Sequence, residues 1–242
     1  MSRGARLAAT GEVGRGAPAD GTIVILSSAP RGSAHGTRQA GVVPLRRPFE
    51  GDERALVAAV QRGDALATAA FVQRFCPYVQ RILTRILGFD NELTDLVQDV
   101  LLSALQGIGD LRDPSALKVW LRRITVLTAR TCLRRRRRRR WLQFAPDDEL
   151  PEVPVDLLTP EANEALARTY GVLARMAPDH RIAFTLRFIA DLDLVDVAES
   201  CGVSLATIKR RLQRAERAFL EAAAHDPVLR EQVERGARWN GK

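Results

Sequence analysis

Hydrophobic residues recur every three or four positions along most of the chain, which is the spacing that places them on one side of an α-helix. No stretch alternates between apolar and polar residues in the manner of a half-buried strand. The pattern therefore predicts an all-α fold, with four helices between Glu50 and Arg140 and further helices from about Glu161 to about Ala224.

Two segments interrupt this pattern and divide the chain into parts. The residues before Phe49 contain many glycines, several prolines and no aromatic side chain, so we expect disorder because they cannot bury enough apolar surface. Residues 142–160 contain four prolines, five carboxylates and no basic residue, which predicts a flexible acidic linker. The predicted organisation is a disordered extension (1–49), a first small helical domain (50–141), the linker (142–160), a second small helical domain (161–224) and a charged tail (225–242).

Local signals mark where the helices of the first domain begin. The Asp64 side chain can cap the second helix, although Pro77 inside that helix predicts a kink or a new start. Asn91 is expected to open the third helix. Asp113 followed by Pro114 predicts the start of the fourth helix, because proline is favoured at the first helical position.

Residues 193–217 predict a helix-turn-helix, in which a short helix, a tight turn and a basic second helix follow one another. Gly202 supplies the positive φ of the turn, and the Ser204 hydroxyl can cap the second helix. From Ile208 onwards aliphatic residues recur at helical spacing, which leaves the rest of the helix surface cationic. Such a helix fits the major groove of DNA; the alternative is a basic helical hairpin packed inside another all-helical protein.

The chain carries a formal net charge of +8, which favours a polyanionic partner. Its most concentrated positive charge is the run of seven arginines Arg134–Arg140 at the end of the predicted fourth helix. A solvated helix end or a targeting segment would explain this run, but seven like charges repel one another. Contact with phosphates relieves that repulsion, so we favour nucleic acid as the partner.

The predicted third helix carries Asp95, Gln98 and Asp99 on one face, because these positions are three and four residues apart. From spacing alone a solvated face is the favoured interpretation, and a surface that accepts arginines from a partner protein is the alternative. No histidine, serine nucleophile or glycine-rich phosphate loop accompanies the carboxylates, so we expect no catalytic residue and no enzyme.

Cysteines and histidines give no sign of a metal or cofactor site. The three cysteines are far apart and odd in number, and no histidine lies near them in sequence. We therefore expect no disulfide framework, no metal site and no cofactor. The cysteines are expected to be small core residues. No apolar run approaches the ~20 residues that span a membrane, so we expect a cytoplasmic protein without membrane insertion.

The ordered motifs together resemble one family, the bacterial RNA polymerase sigma factors of the extracytoplasmic-function (ECF) group, over about residues 51–222. In the first domain, Asp95-Leu-Val-Gln-Asp-Val-Leu101 resembles the family's Asp-x-x-Gln-Glu-Val-Phe. Trp120-Leu-Arg-Arg-Ile124 then leads into the arginine run. In the second domain the matching residues are Ala177-Pro178, Gly202-Val-Ser204 and Thr207-Ile-Lys209.

The resemblance implies an alternative sigma factor that binds core RNA polymerase, including its β flap, and directs it to particular promoters. Asp95, Gln98 and Asp99 would bind the clamp helices of the polymerase β′ subunit, which reverses the interpretation from spacing alone. Contacts to the minus-ten element of promoter DNA would come from Arg112, Trp120, Arg123, Arg130 and Arg134. Contacts to the minus-thirty-five element would come from Thr207, Lys209, Arg210, Arg211 and Arg214. An anti-sigma factor is a further partner class, which the sequence does not identify.

This chain departs from the family pattern at Leu127 and Thr131, where the minus-ten helix of the family commonly has Asn and Asp. Two rival functions stay open: an autonomous helix-turn-helix regulator that binds operators as a dimer, and a protein that coats nucleic acid without sequence preference. Binding to core RNA polymerase distinguishes a sigma factor from both. A further hypothesis is that the acidic linker folds back on the basic surfaces and weakens DNA binding by the free protein.

Overall fold

The computed structural model describes residues 51–88, 90–143 and 160–235, and the regular structure in these ranges is helical, which confirms the all-α prediction. The α-helices in these ranges are α1 (Glu53–Gln61), α2 (Ala65–Leu87), α3 (Leu93–Gly107), α4 (Leu117–Gln143), α5 (Pro160–Arg175), α6 (Pro178–Phe184), α7 (Leu194–Cys201), α8 (Leu205–Ala224) and α9 (Pro227–Arg235). Short 3₁₀ turns (Ile108–Asp110 and Pro114–Ala116) connect α3 to α4, and a π-helical turn (Thr185–Ile189) follows α6. The predicted extension (1–49) and residues 144–159 of the predicted linker lie outside the described residues.

Helix α2 begins where its cap was predicted and continues without interruption to Leu87. The Asp64 carboxylate accepts hydrogen bonds from two backbone N–H groups of the first turn, at 2.8 and 3.1 Å. Pro77 lies inside this continuous helix, so the predicted alternative of a new start does not occur. Phe75 and Val79 are buried on either side of the proline, and this burial offsets the backbone hydrogen bond that proline removes.

Helix α3 begins at Leu93, later than the start predicted at Asn91. Glu92 precedes the helix, and its Oε2 accepts hydrogen bonds from Arg135 at 2.9 Å and from Arg136 at 2.8 Å instead of capping α3. The hydrogen bond from Arg136 holds the pKa of the Glu92 carboxyl below its usual value. The Glu92 carboxylate therefore forms charge-assisted contacts with α4 and leaves the first turn of α3 without a side-chain cap.

The apolar stripes predicted for α2, α3 and α4 form the core between these helices. The largest side chains that are almost fully buried there are Leu56, Phe71, Leu83, Ile86, Leu117 and Leu121. Burial of each such side chain contributes ~1.5–3 kcal/mol. At the end of α3, the loop and the second 3₁₀ turn lead into α4, and Asp113 caps that turn by accepting a hydrogen bond from the Ser115 N–H at 2.9 Å.

The predicted helix-turn-helix is present as α7 and α8. Asp193 caps α7 by accepting a hydrogen bond from the Asp196 N–H at 2.7 Å. Gly202 ends α7 in the left-handed region, with φ 65° and ψ 38°. The Ser204 hydroxyl oxygen then accepts a hydrogen bond from the Thr207 N–H at 3.3 Å. Ile208, Leu212 and Ala215 of α8 are buried, so the helix is anchored on one side, and its cations lie on the rest of its surface.

Helix α9 lies within the segment that was predicted as a charged tail (225–242). Leu229 on this helix is 1 % exposed and belongs to an apolar cluster with Tyr170 and Leu173 of α5. Asp226 caps the helix by accepting a backbone hydrogen bond at 3.0 Å. The sequence pattern missed this helix because its nine residues contain too few apolar positions for a clear helical period.

The helices divide into a first group (α1–α4) and a second group (α5–α9), and the two groups pack directly against each other. Both groups belong to one compact unit of the chain. Apolar residues of the second group, among them Ile182, Leu186 and Val197, join the buried cluster formed by the first group. We call this contact between α2 and α4 on one side and α5–α8 on the other the seam.

One set of polar contacts of the seam lies at the C-terminal end of α2. Arg181 of α6 is 6 % exposed; its Nε donates to the Ile86 carbonyl at 2.8 Å and its Nη2 to the Leu87 carbonyl at 2.9 Å. The Tyr170 hydroxyl donates to the Arg85 carbonyl at 2.8 Å, and burial raises the pKa of Tyr170 to about 12. Because the last carbonyls of a helix lack partners within it, the second group satisfies the end of α2.

The free thiols follow the prediction of small core residues, since Cys132 and Cys201 are buried and Cys76 is half-buried. Within the described residues, no group of at least three His, Cys, Asp or Glu side chains is placed to hold a metal ion. In the same part of the chain, no helix combines the length and the apolar character that crossing a bilayer requires.

Candidate polymerase and nucleic-acid interfaces

Asp95, Gln98 and Asp99 all face the solvent on α3. The opposite side of the helix is anchored in the core through residues such as Val97 and Val100. Among the described residues, neither carboxylate has an ion-pair partner. We call these three residues the α3 acceptor face, because two carboxylates and an amide oxygen offer hydrogen-bond acceptors to an incoming partner.

A groove of about 620 Å³ between α3 and α4 borders the acceptor face at Asp99. Leu102 of α3 and Leu127 of α4 line it and are 57 % and 48 % exposed. Thr131 lines it as well, and its hydroxyl donates to the Leu127 carbonyl at 3.0 Å. The two positions that depart from the family pattern therefore lie on one exposed strip of α4.

Trp120 and Arg123 of α4 line a second groove, of about 830 Å³, whose other wall is the turn of the helix-turn-helix and the start of α8. A Cβ atom at Gly202 would lie 3.3 Å from Arg123 Nη2, so glycine serves both the positive φ and this close approach. Arg112 is exposed in the loop that precedes α4. Trp120 and Arg123, both predicted for the minus-ten element, therefore face the second helical group.

Asp179 of α6 gathers three arginines at the seam. Its Oδ1 lies 2.8 Å from Arg130 Nε, and its Oδ2 lies 3.5 Å from Nη2 of both Arg134 and Arg211. The Arg130 and Asp179 atoms are close without the alignment of a hydrogen bond, so this contact is an ion pair. Arg130 also donates to the Cys201 carbonyl at 3.3 Å. One carboxylate thus joins residues predicted for the two different promoter elements.

The other cations of α8 face the solvent. Lys209, Arg210 and Arg214 are exposed, whereas the Arg211 side chain is only 21 % exposed. Thr207 lies in the first turn, where its hydroxyl is 3.0 Å from the Ser204 hydroxyl. A helix with three exposed cations near its start fits the major groove, which is about 12 Å wide.

The residues that form the seam were not predicted from the sequence. Arg122 is 7 % exposed, and its Nη2 lies 2.6 Å from Asp196 Oδ1. The available signal was helical spacing, since Arg122 shares a side of α4 with Val126 and Ala129, which are both buried. Arg181 belongs to the residues that resemble the family, whereas Asp179 gave no comparable signal.

Comparisons with known proteins agree with the arrangement of these helices. Residues 71–142 match the family described as Sigma-70 region 2, and residues 166–219 match Sigma-70, region 4. An ECF RNA polymerase sigma-E factor from Haemophilus influenzae is 33 % identical over 173 residues, which cover 67 % of this chain and 90 % of that protein. This chain belongs to the ECF sigma factors.

Further relatives include an RNA polymerase sigma-H factor from Pseudomonas aeruginosa, 28 % identical over 74 % of this chain and 96 % of that protein. An ECF RNA polymerase sigma factor SigM from Mycobacterium tuberculosis is 30 % identical over 69 % of this chain and 82 % of that protein. Among solved structures, CnrH in complex with the cytosolic domain of CnrY has a TM-score of 0.51 at 20 % identity, over 72 % of this chain and 99 % of that one. The sigma factor RpoE of Bartonella quintana, in complex with the anti-sigma factor NepR, has a TM-score of 0.50 at 22 % identity, over 64 % and 95 %. These two structures support the fold.

Sigma factors are transcription initiation factors that bind core RNA polymerase and direct it to promoters. In this ECF sigma factor the region 2 match contains α3 and all of α4 except its last residue, and the region 4 match contains α6, α7 and α8 as far as residue 219. The α3 acceptor face therefore belongs to region 2, and the basic start of α8 belongs to region 4.

Proposed function

We propose that this ECF sigma factor docks on core RNA polymerase through the α3 acceptor face and contacts promoter DNA through α4 and α8. In this proposal residues 50–141 act as sigma domain two and residues 161–224 as sigma domain four, which also meets the β flap. The acceptor face would receive basic side chains of the β′ clamp helices. The observation that carries the proposal is that exposed acidic and basic side chains lie on different helices of this sigma factor. Two exposed carboxylates lie on α3, and three exposed cations lie near the start of α8.

The open position of the acceptor face supports docking without rearrangement of domain two. Its three side chains are exposed, and the residues between them are buried in the core, so the helix is held while the face stays accessible. Each basic side chain of a partner could therefore pair with an acceptor that no described residue already uses. Removing charge-assisted partners at such an interface typically costs about 2–5 kcal/mol.

Binding of the purified protein to core RNA polymerase tests the docking assignment. Replacing Asp95, Gln98 and Asp99 together with alanine should weaken binding by about 2–5 kcal/mol and leave the helical circular dichroism unchanged. A matched control removes one amide and two carboxylates elsewhere, through the substitutions Q80A, E216A and E234A at exposed positions. Unchanged affinity of the α3 triple variant, or an equal loss in the control, would reject the acceptor face as the docking surface.

DNA binding with and without core RNA polymerase separates a sigma factor from an autonomous helix-turn-helix regulator. An autonomous regulator would bind a palindromic operator as a dimer, because half-site spacing reflects the two-fold symmetry of the protein. We expect instead a monomer that selects promoters only with core RNA polymerase. Selective binding of a palindromic site by a dimer of the free protein would support the regulator.

We also propose that the protein has no catalytic activity of its own, acts in the cytoplasm, and is regulated by an anti-sigma factor. The support for the last point is that one solved relative is bound to an anti-sigma factor, NepR, and the other to the cytosolic domain of CnrY. Cell extract should lower the binding of the purified protein to core RNA polymerase, and a protease-treated extract should not. Equal binding with and without extract would argue against such a regulator.

A further inference from the structure

A cleft of about 710 Å³ opens where the end of α4 faces α6 and the start of α8. Its walls carry six arginines that come from two distant parts of the chain. Three belong to the arginine run of α4 and three to α8: Arg134, Arg137, Arg138, Arg210, Arg211 and Arg214. The cleft therefore spans the seam, and either group of helices supplies only half of its charge.

The charge of this cleft is poorly balanced. Asp179 is the one carboxylate among the described residues that line it, and it already contacts Arg134, Arg211 and the neighbouring Arg130. Nη1 of Arg211 is buried and has no hydrogen-bond partner in the described part of the chain. A buried donor without a partner is costly, and six arginines share one carboxylate at this site, so the cleft has excess positive charge.

His180 reports the same electrostatic environment. This residue lines the cleft, and its pKa is lowered from its usual value by burial and then by the positive charges of Arg214 and Arg211, while Asp179 acts in the opposite direction. A multiply charged anion placed among these arginines would oppose their effect and raise the pKa of the imidazole.

We propose that this cleft binds a polyphosphate group, which is a chain of two or more phosphates, either free or carried by a nucleotide. Guanidinium groups bind phosphate oxygens in pairs through parallel hydrogen bonds, and six of them exceed what a single phosphate or carboxylate can satisfy. The volume lies within the range of about 300–1,000 Å³ that is usual for small-ligand sites.

A polyphosphate bound here contacts α4 and α8 at once and stabilises the seam. Arg134, Arg210, Arg211 and Arg214 also belong to the proposed promoter interface, so the ligand competes with promoter DNA for the free protein. This competition rests on the proposed function, whereas binding of the ligand itself does not. Failure of ligand binding would leave the docking experiment on the α3 acceptor face unaffected.

Calorimetric titration of the full-length protein with sodium tripolyphosphate at physiological ionic strength tests the proposal. We expect saturable binding with one ligand per chain. The double variant R137A/R138A should weaken it at least about tenfold, because each lost charge-assisted hydrogen bond is worth a factor of this order. The matched control R81A/R139A removes two exposed arginines outside the cleft and should stay within about twofold of the original affinity. All four positions are exposed, so both variants should fold, and thermal unfolding checks this.

Equal weakening in the two double variants would overturn the proposal, because it would show only diffuse attraction to a basic protein. The proposal would also be overturned if binding did not approach saturation at about 1 mM ligand, because the dissociation constant would then be in the millimolar range of very weak binding. Parallel titrations with ATP and GTP distinguish a free polyphosphate from a nucleotide as the ligand. Affinity equal to that of tripolyphosphate would show that only the phosphate chain is recognised, and tighter binding would show that the nucleoside contributes as well. As an independent readout, saturating tripolyphosphate should raise the His180 pKa in an NMR titration, and an unchanged value would contradict binding in the cleft.

Discussion

The α3 acceptor face and the basic residues of α4 and α8 differ in how much of their charge is already used. The two carboxylates of the acceptor face lie in solvent without an ion-pair partner among the described residues. Arg130, Arg134 and Arg211, in contrast, share the carboxylate of Asp179 at the seam. We infer that docking on polymerase can use this structure as it stands, whereas full promoter contact requires α4 and α8 to separate.

The difference has a physical origin in what each surface contacts. No described residue of the second helical group forms an ion pair with the carboxylates of the acceptor face. Arg122 and Arg130 of α4 face α7 and α6, and a buried or half-buried guanidinium is costly without a partner. The acids of the second group, Asp179 and Asp196, supply those partners. The predictions below test this contrast between an open face and an engaged one.

The largest effect is expected from Arg181, which donates hydrogen bonds across the seam to the end of α2. Replacing Arg181 with methionine should lower the free energy of unfolding by about 2–4 kcal/mol, because two carbonyls at the end of α2 lose a charged donor in a buried place. Urea unfolding measures this change. The control R81M alters an exposed arginine of α2 and should change stability by less than about 0.5 kcal/mol. A similar small change in both variants would show that the seam does not depend on Arg181.

A smaller effect is expected at the promoter interface on α8. Replacing Arg210 with alanine should weaken promoter binding by the polymerase complex by about 1–3 kcal/mol, the range for loss of a base or phosphate contact. Arg217 offers a matched control, since it lies on the same helix, is 82 % exposed and pairs with Glu221. Promoter binding by filter retention should distinguish R210A from R217A. If the two variants lose equal affinity, the start of α8 has no special role.

Asp179 tests the engaged state of the arginines directly. Replacing Asp179 with asparagine removes the carboxylate shared by Arg130, Arg134 and Arg211, so the free protein should bind minus-thirty-five duplex DNA several-fold more tightly, by about 1 kcal/mol. The control E199Q removes one exposed carboxylate of α7 and changes net charge equally. Fluorescence anisotropy measures both variants. A gain of the same size in the control would assign the effect to net charge, and no gain would show that Asp179 does not restrain these arginines.

The smallest effect concerns Glu92, an acid beside α3 whose charge is already engaged. Its pKa is lowered by the hydrogen bond from Arg136, so its stabilising contribution is complete above its unfolded pKa and is lost as the pH falls through the lowered folded value. The variant E92Q should therefore be slightly less stable than the original protein at pH 6, by less than about 1 kcal/mol. At pH 3 this difference should shrink. A difference that is independent of pH would contradict an ionic role for Glu92.

The sequence by itself determined the features that depend on neighbours a few residues apart. Helical period follows from apolar residues three or four positions apart, and the caps formed by Asp64 and Ser204 span only two or three residues. Gly202 predicted the turn because few other residues adopt a positive φ easily. The exposed position of the α3 acceptor face also followed from spacing, but its assignment to polymerase needed the family resemblance and stays a proposal.

The tertiary structure decided the contacts between residues that are far apart along the chain. Arg181 and Ile86 are separated by 95 positions, and Arg122 and Asp196 by 74, so no local spacing could pair them. Helix α9 is a related case, because its few apolar residues become a recognisable stripe only when Leu229 is buried by α5 and α8. Local backbone geometry is set by adjacent residues, whereas burial and charge pairing depend on which surfaces meet, and in this chain the packing of the two helical groups determines which arginines remain in solvent.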